Sequence, residues 1–104
     1  MTNLKASILL YLLLCVQAAD WGTTVWIMSF GGVEANPIMA PLFALSPWVA
    51  ILPKLAIVAG VTLLYLAARK QDRPLVMWGV AASVLVSMPP VVWNLIQLWN
   101  AGLI

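Results

Sequence analysis

Asp20, Glu34 and Lys54 are the residues of this 104-residue chain whose types could do chemistry, since each lies in or beside an apolar run. A pair of carboxylates could act as acid and base, and an ammonium could stabilise developing negative charge. The rest of the composition limits that chemistry. There is no histidine and one cysteine, Cys15. The chain therefore lacks a Ser–His–Asp set and a cysteine–base pair for nucleophilic catalysis. It also lacks the ligand array of an ordinary zinc or haem site, so no metal and no cofactor is expected. What remains is pairing, because a charged side chain in hydrocarbon is costly unless it meets an opposite charge or water.

The elements that must position these groups are apolar. Hydrophobic residues make up 64% of the chain and charged ones 8%, against about 25% charged in a soluble domain. Too few charges remain to cover a water-facing surface, and an integral membrane protein is expected. A net charge of +2 is no nucleic-acid footprint, so no nucleic-acid partner is expected. Cys15 excludes an intrachain disulfide and reads as packing.

A membrane span needs about 20 residues. Three stretches qualify, at 4–28, 47–68 and 75–99, and predict an all-α bundle of three transmembrane helices forming a single transmembrane domain over 1–104. Lys5 followed by a leucine-rich run looks like a signal peptide, but apolar character resumes beyond Asp20 and reaches Phe30, so a retained first helix is expected. The last two spans are joined by an inner loop at 69–74 that carries Arg69, Lys70 and Arg73. Together with Lys5, this cluster predicts a multi-pass cell-membrane protein with a cytoplasmic N-terminus and an external or periplasmic C-terminus. The link at 31–46 is too short and proline-broken for a fourth span, yet too apolar for a free loop. It predicts a short re-entrant or interfacial helix, beginning at Pro37 behind an Asn36 cap. Pro53 should bend the second span, and Met88-Pro-Pro-Val91 should interrupt and kink the third.

The polar groups fall at one depth. Asp20 lies 16 residues past Leu4, about 24 Å along the first helix. Lys54 lies seven residues past Pro47, about 10 Å below the outer start of the second. Asn94 lies 19 residues past Leu75, about 28 Å up the third. Glu34 and Asn36 sit in the outer link. Gln17, Asp20 and Thr24 share one helical stripe, as do Asn94 and Gln97. The expected cluster is Asp20, Thr24, Glu34, Asn36, Lys54 and Asn94, with Lys54 paired to Asp20 or Glu34 and the two asparagines satisfying the remaining groups. Such a cluster can lock a bundle together, or it can hold an ion, proton or small ligand.

Three motifs carry a resemblance: Asp20-Trp-Gly-Thr-Thr24, then Gly31-Gly-Val-Glu-Ala-Asn-Pro37, then Lys54 early in the following helix, with Asn94 in the last one. With these the chain resembles a family of small, uncharacterised prokaryotic membrane proteins. The resemblance spans roughly 10–97 and implies a polytopic inner-membrane protein, with no established chemistry to carry over. The expected function is a non-enzymatic membrane structural or interaction subunit, whose partners are the lipid bilayer and either itself or another membrane protein. The alternatives are a homo-oligomeric channel, a small transporter or a holin-like permeabilising protein, with Asp20, Glu34 and Lys54 near the path. A membrane enzyme using Asp20 or Glu34 is a further alternative.

Overall fold

A computed structural model of the chain describes residues 2–34, 36–68 and 73–104. Those residues form four helices: α1 (Thr2–Ser29), α2 (Met39–Leu45), α3 (Pro47–Ala68) and α4 (Arg73–Asn100). The short α2 falls within the expected link. Residues 69–72 of the expected inner loop, including Arg69 and Lys70, lie outside the described residues.

Local sequence explains where the helices stop and start. At the end of α1, Gly32 N–H donates to Ile27 O at 3.0 Å and Gly31 N–H to Met28 O at 3.1 Å, with Gly31 at φ +89°. This is a Schellman ending, which needs a left-handed residue that glycine supplies without strain. Gly32 is required for a different reason. A Cβ there would lie 2.3 Å from Ile27 Cγ2 and 2.9 Å from Ile27 O, so the short β-branched side chain and the backbone would both have to give. Gly32→Ala is expected to cost about 1–2 kcal/mol, read as a lower thermal midpoint in detergent. α3 begins on Ser46, whose carbonyl accepts from Val49 and Ala50 and whose hydroxyl accepts from Trp48 N–H at 3.2 Å. Pro47 then occupies the first helical position, where a missing N–H costs nothing.

α2 begins two residues later than the sequence suggests. Asn36 does not cap it directly. Its side-chain oxygen accepts from Ile38 N–H at 2.9 Å in a turn, and Ile38 takes the cap position. Pro41 thereby falls in the first turn of α2, where its missing donor is tolerated. The prolines of α4 also read differently in one respect, since they do not interrupt the helix. α4 runs unbroken through Pro89 and Pro90, and α3 through Pro53. In α4, hydrogen bonds to α1 bracket the prolines, at Ser87 on one side and Asn94 on the other. Tertiary bonds thus hold the helix where its own ladder lacks donors.

The three long helices pack side by side in a body of 47 × 27 × 18 Å. α1 and α4 run parallel in constant register, since Gln17–Ser87 and Thr24–Asn94 are both pairs 70 residues apart. α3 runs antiparallel to α1, bringing Ala6 to Tyr65 at one end and Trp21 to Pro47 at the other. Fully buried Ala6 and Ala50 permit close approach at those ends. Met39 and Phe43, one turn apart on α2, are buried with Ala50 against Trp21, Val25 and Met28. The short helix thus closes the bundle at the link end.

Three helical stretches, Leu4–Ser29, Pro47–Ala68 and Pro74–Asn100, are long and apolar enough to cross a membrane. Only 17%, 17% and 11% of their most apolar windows are buried inside the fold. Helices apolar on all faces need an apolar surrounding, and this chain does not supply it.

Candidate functional site

The polar residues meet one to two turns below the link end. Asp20 on α1 and Lys54 on α3 form an ion pair through Asp20 Oδ2. Only 10% of the Lys54 side chain and 16% of the Asp20 side chain are exposed, so each charge depends on the other. Asn94 of α4 completes the arrangement. Its Nδ2 lies 3.2 Å from Asp20 Oδ1, 2.9 Å from Thr23 Oγ1 and 2.9 Å from Thr24 Oγ1. A carboxylate only accepts, which fixes Nδ2 as the donor; its two hydrogens are shared among these oxygens. Thr23 in turn donates to Ala19 O at 2.7 Å. Three helices are therefore clasped at one level by one carboxylate.

One turn below Asp20 on α1, Gln17 Nε2 donates to Ser87 Oγ at 2.8 Å, and Ser87 donates to Ser83 O at 2.7 Å. At the link end, Trp21 Nε1 donates to Pro47 O at 2.7 Å and its ring centroid lies 5.4 Å from that of Trp48. Among the described residues no buried side-chain nitrogen or oxygen lacks a partner. Below Gln17 the interior turns apolar, with Leu13, Val84, Val80 and Ala6 buried. Ser87→Ala leaves Gln17 without its acceptor and is expected to lower stability by about 0.6 kcal/mol, the usual scale of an interhelical hydrogen bond in a membrane protein; urea or thermal unfolding in detergent reads it.

Glu34 and Asn36 come to the same region but do not bond to Lys54. Glu34 Oε1 accepts from Asn36 N–H at 3.0 Å, and the Asn36 side chain accepts from Ile38 N–H. Short link residues satisfy their own backbone first. Both side chains nonetheless line a cavity of about 180 Å³ with Asp20, Lys54, Trp93 and Asn94. A second cavity of about 230 Å³ lies alongside, lined by Thr24, Glu34, Trp93, Asn94 and Gln97 among others. Of the expected cluster, Asp20, Thr24, Lys54 and Asn94 are joined by hydrogen bonds, and Glu34 and Asn36 stand across a cavity. Thr23 is an additional member, and Ser87 forms a separate bridge with Gln17. Ser87 could have been found from spacing, because Ser87 and Asn94 repeat on α4 the seven-residue interval of Gln17 and Thr24 on α1.

Three such helices, apolar on their outward faces, define a multi-pass membrane protein. The chain belongs to the family described as Domain of unknown function (DUF5658), which matches residues 10–100. That segment contains the whole clasp and both cavities' lining residues. No curated protein and no solved structure matches the chain.

Proposed function

We propose that this protein is a non-enzymatic structural or interaction subunit of a cell-membrane assembly, with its N-terminus cytoplasmic and its C-terminus on the outer side. The observation that carries this reading is the closure of the polar cluster on itself. Asp20, Lys54, Asn94, Thr23 and Thr24 satisfy one another across three helices, which is what a clasp requires. A clasp fixes the relative register of the helices and so presents their outward faces in one arrangement. Those faces carry exposed Leu63, Leu64, Trp78, Leu85, Val86 and Trp99, a surface suited to lipid and to another membrane helix. In this reading α2 lies at the outer interface beside the exposed Ile38, Leu45 and Trp48.

A conducting path through one copy is disfavoured by the buried apolar residues Leu13, Val80 and Val84 below the clasp. A channel or a holin-like pore would have to lie between copies. Native mass spectrometry of the protein in a mild detergent separates these cases. The expected result is a defined complex containing a second polypeptide. A homo-oligomer whose conductance is lost in D20N would overturn the subunit reading in favour of a pore.

A further inference from the structure

Glu34 stands apart from the clasp in its charge balance. Asp20 and Lys54 neutralise each other, whereas Glu34 has no cationic partner among the described residues. One of its oxygens accepts from Asn36 N–H, and the other faces no donor among them. Its side chain is shared by the two adjoining cavities, and so are Trp93 and Asn94. Asn94 uses its amide N–H groups on Asp20 and the threonines, which leaves its amide oxygen as an acceptor. The smaller cavity is otherwise lined by the paired Asp20 and Lys54, by Asn36, and by the apolar Met39 and Pro90. The region thus offers one uncompensated negative charge, a neutral acceptor and an indole wall.

These features complement a small cation that carries hydrogens. A divalent metal is a poor match, since no group of three or more acidic, cysteine or histidine residues among the described residues could hold one. An alkali ion needs a shell of oxygens, and here much of the wall is carbon. An ammonium group needs fewer acceptors and also gains from an aromatic face. We propose that the cavity between the link and the clasp binds a primary ammonium group, with Glu34 as its counter-ion, the Asn94 amide oxygen as its hydrogen-bond acceptor and Trp93 as its aromatic wall. The amine is carried either by a free small molecule or by the headgroup of an aminophospholipid, because Glu34 and Asn36, which line the cavity, belong to the link at the ends of the helices. The site goes beyond the subunit role and does not depend on it.

The test uses the full chain in mild detergent, titrated with ethanolamine hydrochloride while tryptophan fluorescence and the thermal midpoint are followed. Choline chloride and sodium chloride at matched ionic strength are the comparisons. Saturable binding of ethanolamine is expected, with choline about tenfold weaker because it has no N–H to donate, and no saturation with sodium chloride. E34Q is expected to weaken ethanolamine about tenfold. Its thermal midpoint without amine should match the parent, because glutamine keeps an oxygen for the Asn36 N–H. Native mass spectrometry then identifies the source. Phosphatidylethanolamine retained by the parent and lost in E34Q identifies a lipid headgroup, and saturation by ethanolamine with no retained lipid identifies a free amine; either supports the site. Absence of saturation in the parent, equal binding by E34Q, or equal binding of choline would overturn it.

Discussion

Lys54→Met lowers the unfolding free energy by about 3–5 kcal/mol, the usual cost of breaking a buried pair by removing one partner. The methionine keeps most of the apolar stem, so the loss reports the charge and not a cavity. Lys54 is buried on α3, and its removal leaves the Asp20 carboxylate with only the Asn94 amide as a donor from another helix. Membrane and soluble domains alike have roughly 5–15 kcal/mol to lose, so this single change should be visible as a large drop in the thermal midpoint. Circular dichroism in detergent follows it. A shift equivalent to less than about 1 kcal/mol, the scale of an exposed ion pair, would show that water already solvates both charges.

Asn94→Leu is expected to have the next largest effect, about 2 kcal/mol. Leucine keeps the same branched heavy-atom skeleton, so the shape of the side chain changes little. What disappears is the donor to Asp20 Oδ1, Thr23 Oγ1 and Thr24 Oγ1. A hydrogen bond to a charged group contributes about 1.5–3 kcal/mol, more than a neutral one. The ordering is the sharper expectation. Asn94→Leu should exceed Ser87→Ala in the same unfolding assay, because Ser87 meets the neutral amide of Gln17. Equal effects would mean that the carboxylate draws nothing special from Asn94.

Much of this arrangement is legible in the sequence, and the reasons differ from element to element. The three long helices follow from length and apolarity, because hydrocarbon forces backbone groups to satisfy each other locally. That Lys54 must find an acid follows from the same environment. Which acid it finds does not follow, since Asp20 and Glu34 lie at the same level in a one-dimensional reading. The structure chooses Asp20 because antiparallel α1 and α3 hold both side chains on facing stripes, whereas Glu34 belongs to a turn that uses it for Asn36 N–H. The span expected from 47 meets the observed start of α3 at Pro47. The paired glycines 31 and 32 were readable as a tight turn, but not their division of labour, one supplying positive φ and the other room for Ile27.

Pro89 and Pro90 mislead on one point, the interruption of α4, for a definable reason. Propensity treats Pro89 and Pro90 as helix breakers, and a sequence carries no sign that Gln17 and Asn94 will pin the helix on either side of them. Asn36 misleads in the opposite direction. Its type and its place before Pro37 fit a helix cap, and it does accept a backbone N–H two residues on. The turn it builds simply precedes the helix. Ser87 shares with Asn94 the seven-residue spacing of Gln17 and Thr24, but that it bonds Gln17 follows only once the parallel register of α1 and α4 is known.

The central claim is that one carboxylate clasps three helices. A double-mutant cycle on Asp20 and Lys54 tests it most directly, by unfolding the parent, D20N, K54M and the D20N/K54M double variant under one detergent condition. Each single variant should be destabilised, K54M the more so. The double variant should recover to within about 1–2 kcal/mol of the parent, because no buried charge is left unpaired. Additive losses, with the double variant the least stable of the four, would contradict a clasp built on that pair.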